Sequence, residues 1–244
     1  MLTYKTKLFA HRGLHGDPSQ APENSLEAFR RAAEAGYGIE LDIQFSRDRQ
    51  IVVFHDDSLE RVCGVCGRVS DYTYEELRVF PLRTSQERIP LLSQVLALVD
   101  GRVPLIIEFK TPGNHFNRQL CEDAAALLDP YNGPYCIEAF HPEVLYWFRR
   151  NRPLVRRGQL CTKFFRTHAR GLRWQFFLLE TQLSNLITKP DFIAYDTRFR
   201  NNLAFRFWRH FCTPVGWTLR NAEAVEEARN DFEYFIVERV RSSD

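Results

Sequence analysis

The sequence predicts an α/β protein of the (β/α)8 TIM-barrel class, with a small insertion after the second strand and a missing or truncated last helix. Three observations predict it. Apolar, strand-like runs alternate with amphipathic helical stretches, a pattern that argues for a parallel sheet. Eight of these runs can serve as parallel strands, the number for a closed barrel. The 244 residues also match the roughly 250 that one such barrel needs, so 1–244 is read as a single domain.

Lys7–His11 (KLFAH) is the first strand, followed by a loop rich in Gly, Pro and Asp. A helix opens near Asn24, read as its N-cap with Glu27 three residues on, and Leu26, Phe29 and Ala33 form the apolar stripe. Gly36 and Gly38 bracket the turn into Ile39–Phe45, and Ile51–Phe54 is a further extended run. Thr73 and Glu76 predict a capping box for a short helix. The stretch from about 46 to 98 is too long for one connection and reads as an excursion from the barrel. Strands are then expected at 104–110, 136–140, 158–161, 191–196, 215–219 and 234–238, with helices near 117–128, 142–151, 165–187, 201–211 and 221–229. Pro142 suits a first helical position. Only six residues follow Glu238, too few for a full eighth helix.

Net charge is +2, so global charge identifies no partner. The N-terminus lacks the apolar segment and cleavage site of a signal peptide, and no run of about 18 apolar residues occurs. Both point to the cytoplasm. The six cysteines include a CxxC at Cys63 and Cys66, but no second pair or nearby histidines complete a zinc site. Reduced thiols are expected throughout.

The chemistry lies at strand ends. Glu40 and Asp42 are two apart in a strand otherwise built from Ile39, Leu41 and Ile43, so both carboxylates share one face. Glu108 and Lys110 repeat the arrangement. Buried carboxylates need a charge partner. Glu40, Asp42 and Glu108 converging at the C-terminal rim make an all-oxygen site, suited to Ca²⁺ or Mg²⁺ rather than zinc. His11 closes the first strand and His55 closes the run IVVF. Phosphodiester cleavage needs one group to take a proton and one to give it, and imidazole suits both. Arg12 offers a fork to phosphoryl oxygens. His115, in the loop after Lys110, faces the same rim.

The runs AHRG (10–13), PENSLEAF (22–29), GIELDI (38–43), VVFHDDSLER (52–61), IPLLSQVL (89–96), IEFK (107–110) and WTLRN (217–221) together resemble the glycerophosphodiester phosphodiesterase family. The resemblance covers nearly the whole chain and is strongest in 8–111. It implies a barrel with a small insertion after the second strand. It implies His11 and His55 as the acid–base pair, and Glu40, Asp42 and Glu108 as ligands to Ca²⁺ or Mg²⁺. It further implies phosphate contacts from Arg12 and Lys110, with Trp217 lining the substrate pocket. Two departures alter the pocket wall: Ala139-Phe140, after Glu138, stands where the family often has Ser-Phe, and the closing strand reads YFIVERV.

The expected reaction is hydrolysis of a glycerophosphodiester, a small molecule, to glycerol 3-phosphate and an alcohol. The alternatives are a phospholipase D-like lyase that closes a cyclic phosphate from a lysolipid, and a catalytically inactive binding barrel. The inactive barrel is disfavoured because both histidines and all three acids are present. Residues 149–177 are basic and aromatic, with no acid between Glu143 and Glu180. They read as a barrel helix with arginines in solvent, ahead of weak contact with an anionic membrane surface. No nucleic-acid-binding motif accompanies the charge, so no nucleic-acid partner is expected.

Overall fold

The structure, a computed structural model, describes residues 2–162 and 181–238. Eight parallel strands close into a barrel: β1 (Leu8–His11), β2 (Gly38–Phe45), β4 (Leu105–Phe109), β5 (Tyr135–Ala139), β6 (Arg156–Cys161), β7 (Phe192–Asp196), β8 (Thr213–Leu219) and β9 (Tyr234–Val237). Closure runs through β1, which pairs with β2 on one side and β9 on the other. The remaining strand, β3 (Ile51–Val53), lies antiparallel on β2 and begins the insertion.

Period two divides each barrel strand between two environments. Ala10, Ile39, Leu41, Ile43, Ile107 and Phe109 pack outward beneath the helices. Phe9, Ile106, Cys136, Leu160, Phe192 and Val215 fill the barrel interior. Two glycines make room for the largest rings there. A Cβ at Gly38 would lie 2.4 Å from the Phe9 ring, and one at Gly158 2.1 Å from the Phe192 ring. Fully burying each phenylalanine contributes about 1.5–3 kcal/mol, which a bulkier neighbour would forfeit. Above this apolar plug, the interior positions turn polar.

The outer layer comprises α1 (Leu26–Glu34), α4 (Leu92–Val99), α5 (Arg118–Leu128), α6 (Pro142–Asn151), α7 (Asn185–Thr188), α8 (Leu203–Trp208) and α9 (Ala222–Ala228); α2 (Glu60–Cys63) and α3 (Tyr74–Leu77) belong to the insertion. The insertion has its own core of Val52, Phe54, Leu59, Val62, Val69 and Leu77. The capping box of α3 forms as expected, with Thr73 N donating to Glu76 Oε2 at 2.7 Å. By contrast, α4 packs against α1 and shares the barrel core. The excursion therefore ends near residue 91 rather than 98.

A second adjustment concerns α1. Its N-cap is Ser25, whose hydroxyl accepts from Ala28 N at 3.1 Å. Asn24 sits one residue earlier at φ 55° and does not cap the helix. All six thiols are free. Among the described residues, no helix is long and apolar enough to cross a membrane. In the basic stretch, Arg152 pairs with Asp129, Arg156 with Asp191, and Arg157 is buried against backbone carbonyls. Residues 163–177 of that stretch, and the segment after Glu238, lie outside the described residues.

Candidate active site and metal centre

Strand register assembles the site. His11 lies opposite Glu40 across the β1–β2 pair. One layer up, Asp42 on β2, Glu108 on β4 and Glu138 on β5 stand side by side as consecutive register partners. The next partner is Gly158, so the acid row ends where the side chains do. All four carboxylates are buried, and Lys110 follows Glu108 on the same face. His55 arrives from the insertion, immediately after β3, which the β2–β3 pairing holds against the rim. Gln44 reinforces that junction by donating to the carbonyls of Phe54 and Asp56 at 2.8 and 2.9 Å.

The turn after β1 is equally specified. Arg12 takes φ 55° and Gly13 φ 81°. A Cβ at Gly13 would fall 2.9 Å from Ala28, so glycine is required by both conformation and space. This turn brings Arg12 N to Glu40 Oε2 at 3.0 Å, and its guanidinium to Glu23 at 2.7 Å and to Asp42 at 3.5 Å. Asn24, in its left-handed conformation, donates its amide to Asp42 Oδ2 at 2.8 Å.

The acids divide into two groups. Asp42 is embraced by cations and donors: Lys110 Nζ lies 3.5 Å away, with Arg12 and Asn24 on the other side. Burial would raise its pKa, but Lys110, His55 and Arg12 outweigh this and hold it below the usual carboxylate range. Glu40, Glu108 and Glu138 instead bring carboxylate oxygens within 4.8 Å of one another. Glu40 and Glu138 are pushed well above the usual range, by burial first and by neighbouring acids second. Glu108 is raised by burial even though Lys110, 2.8 Å away, opposes the shift. Two charges at such a separation repel by roughly 3 kcal/mol at an effective dielectric of 20. A buried trio of carboxylates is thus a strained arrangement that a cation relieves. Its donors are all hard oxygens, and Glu138 Oε2 and Asp42 Oδ1 have no hydrogen-bond partner among the described residues. The residues present therefore fit a hard divalent ion.

The two histidines differ. His11 is held well below its usual pKa, first by burial and then by the Arg12 charge, so its imidazole is neutral. Its Nδ1 has no hydrogen-bond partner among the described residues, and Nε2 lies 4.0 Å from Glu40. His55 is half-buried, with Nδ1 2.6 Å from Asp56 Oδ1. Asp56 binds Arg61, which binds Glu23, which returns to Arg12. Both histidines thus rest on one charged network. Trp217, on β8, faces the barrel mouth edge-to-face with Phe140 at 6.0 Å, its indole N–H buried without a described acceptor. His115 lies beyond Lys110, lining with Phe45 and Phe116 a cavity of about 690 Å³.

The rim therefore gathers all eight residues singled out from sequence: His11, Arg12, Glu40, Asp42, His55, Glu108, Lys110 and Trp217. It adds two that were not. In the sequence Asn24 presents itself as a helix cap, and Glu138 only as the residue before a departure from the family pattern.

Fold and site together define a (β/α)8 barrel that sets a cluster of buried acids, able to hold a cation, beside the basic groups Arg12 and Lys110. Residues 11–231 match the glycerophosphoryl diester phosphodiesterase family, and the chain belongs to that family. It is 43% identical over 112 residues to a glycerophosphodiester phosphodiesterase of Bacillus altitudinis, a stretch covering 43% of this chain and 44% of the relative. Over 151 residues it is 32% identical to human glycerophosphodiester phosphodiesterase 1, covering 58% of this chain and 44% of that one. The aligned region thus spans less than half the length of these relatives. The fold matches a phosphodiesterase of Oleispira antarctica solved with sn-glycerol 3-phosphate, at TM-score 0.74, 20% identity and coverage of 95% and 92%. It also matches a glycerophosphodiester phosphodiesterase of Thermotoga maritima, at TM-score 0.72, 22% identity and coverage of 97% and 96%.

Proposed function

We propose that this protein hydrolyses glycerophosphodiesters to glycerol 3-phosphate and an alcohol, using Ca²⁺ or Mg²⁺ held by Glu40, Asp42 and Glu108. The observation that carries this reading is the juxtaposition of a neutral buried histidine, a second histidine paired to a carboxylate, and an acid cluster short of positive charge. When bound, the ion neutralises phosphoryl charge and polarises a phosphoryl oxygen.

The chain's own groups perform the rest. Arg12 and Lys110 receive the non-bridging oxygens, as their cations already face the rim. Neutral His11 takes a proton from the attacking water, whose oxygen bonds to phosphorus as the bond to the leaving alkoxide breaks. His55 donates a proton to the departing alkoxide, and Asp56 at Nδ1 stabilises its charged form. Trp217 walls the glycerol side, and the cavity beside Lys110 and His115 gives the alcohol room. The support comes from family membership, the relatives' names and this geometry.

The test is release of glycerol 3-phosphate from glycerophosphocholine and related diesters with Ca²⁺, Mg²⁺ or EDTA, in ¹⁸O-labelled water. Metal-dependent release with ¹⁸O in the phosphate is expected. A cyclic phosphate product would instead establish the lyase. No turnover by a protein that binds metal would remove the hydrolytic reading.

A further inference from the structure

We propose that Glu138 is a direct ligand of the divalent ion, so that the centre is built from four carboxylates rather than three. The inference rests on the metal-dependent reading above and deepens it.

Glu138 is 1% exposed, on a strand that points it at the acid cluster. One of its oxygens lies within 4.8 Å of carboxylate oxygens of both Glu40 and Glu108. Oε2 has no hydrogen-bond partner among the described residues. A structural acid in such a place would carry a cation, yet both nearby cations are engaged elsewhere. Arg12 is held by Glu23 and Asp42, and Lys110 by Glu108 and Asp42. Among the described residues, Glu138 forms no ion pair. On its far side stands Gly158, which has no side chain to offer. An ionised carboxylate left alone in this interior would be costly.

Charge points the same way. Arg12 and Lys110 are already shared among Glu23, Asp42 and Glu108, so Glu138 adds a negative charge that no described ion pair offsets and that a divalent ion would. Coordination agrees, because hard cations take six to eight oxygens, and each extra carboxylate replaces a water.

The experiment compares wild type with Glu138→Gln by calorimetric titration of Ca²⁺ and, separately, Mg²⁺. The hydration of bound Tb³⁺ is also measured from luminescence lifetimes in H₂O and D₂O. Glu138→Gln is expected to weaken Ca²⁺ binding about tenfold or more and to admit about one further water to bound Tb³⁺. Equal affinity in the two proteins overturns the inference and leaves the metal-dependent reading standing. Weakened affinity with unchanged hydration also overturns it, because a nearby charge that is not a ligand would give that result. If wild type binds neither ion, the metal-dependent reading fails and the inference falls with it. Should the glutamine variant not fold, Glu138→Asp keeps the charge, withdraws the oxygens by one methylene and carries the same expectations.

Discussion

Asn24 donates its side-chain amide to Asp42 Oδ2 across 2.8 Å from a backbone held at φ 55°, so the loop after β1 directly orients an acid on β2. Asn24→Ala removes the donor and places a less tolerant residue in the left-handed region. A loss of about 1–3 kcal/mol in stability is expected, measured by urea denaturation. Activity should fall about tenfold or more as Asp42 loses its fixed orientation.

His11→Ala and His55→Ala should each reduce kcat by about 10²–10⁴-fold, with little change in Tm. Asp56→Asn should give a smaller loss, because it weakens the support of His55 without deleting the imidazole. Steady-state kinetics of the three variants on one diester checks the ranking. Equal activity of wild type and His55→Ala would remove His55 from the chemistry.

Glu23 ties the two histidine supports together. Burial alone would raise its pKa, but Arg61 and Arg12 outweigh this and bring it to about 2, below its ordinary 4.5. A depressed carboxylate stabilises the fold above its unfolded pKa and loses that contribution as pH falls toward the folded value. The contribution is at most about 3 kcal/mol. Glu23→Gln should therefore be less stable than wild type near pH 7, and the gap should shrink below about pH 4.5. Chemical denaturation at several pH values measures it.

Glu40, Glu108 and Glu138 work in the opposite direction. Their raised pKa values favour the metal-free fold when they are protonated, and that support is lost as pH rises through the folded values. Chelator-treated protein should accordingly lose Tm as pH rises beyond the carboxylate range. Added Ca²⁺ or Mg²⁺ should restore Tm near pH 7 and do little near pH 4. Equal responses at both pH values would contradict this origin of metal stabilisation.

The barrel was legible because period two is strict in its strands: Glu40 and Asp42 between isoleucines and a leucine declare both faces of β2. The same periodicity marks Glu40, Asp42, Glu108 and Lys110, and the ends of strand-like runs mark His11 and His55, whereas Trp217 comes from the family resemblance. What failed was local ambiguity and long-range assembly. Asn24 and Ser25 are both good capping residues, and sequence alone does not say that the first will turn its amide to a strand eighteen positions away. Glu138 is a lone acid in CIEAF with no partner at period two. Its significance arises only when β4 and β5 set it beside Glu108. A barrel helix and an insertion helix have the same amphipathic pattern, and only packing against α1 assigns Leu92–Val99 to the barrel.

His11, Arg12, Glu40, Asp42, Glu108 and Lys110 fall on or beside the adjacent strands β1, β2 and β4; Asn24 lies in the loop after β1 and His55 follows β3, all within the first 110 positions. The later strands contribute Glu138 and Trp217 and otherwise close the ring. On the proposed reading, the first block holds both histidines and three of the site's four buried carboxylates, while the second holds Glu138, Trp217 and the His115 side of the cavity. A replacement second block would thus leave most of that machinery intact, provided its β5 still sets an acid beside Glu108.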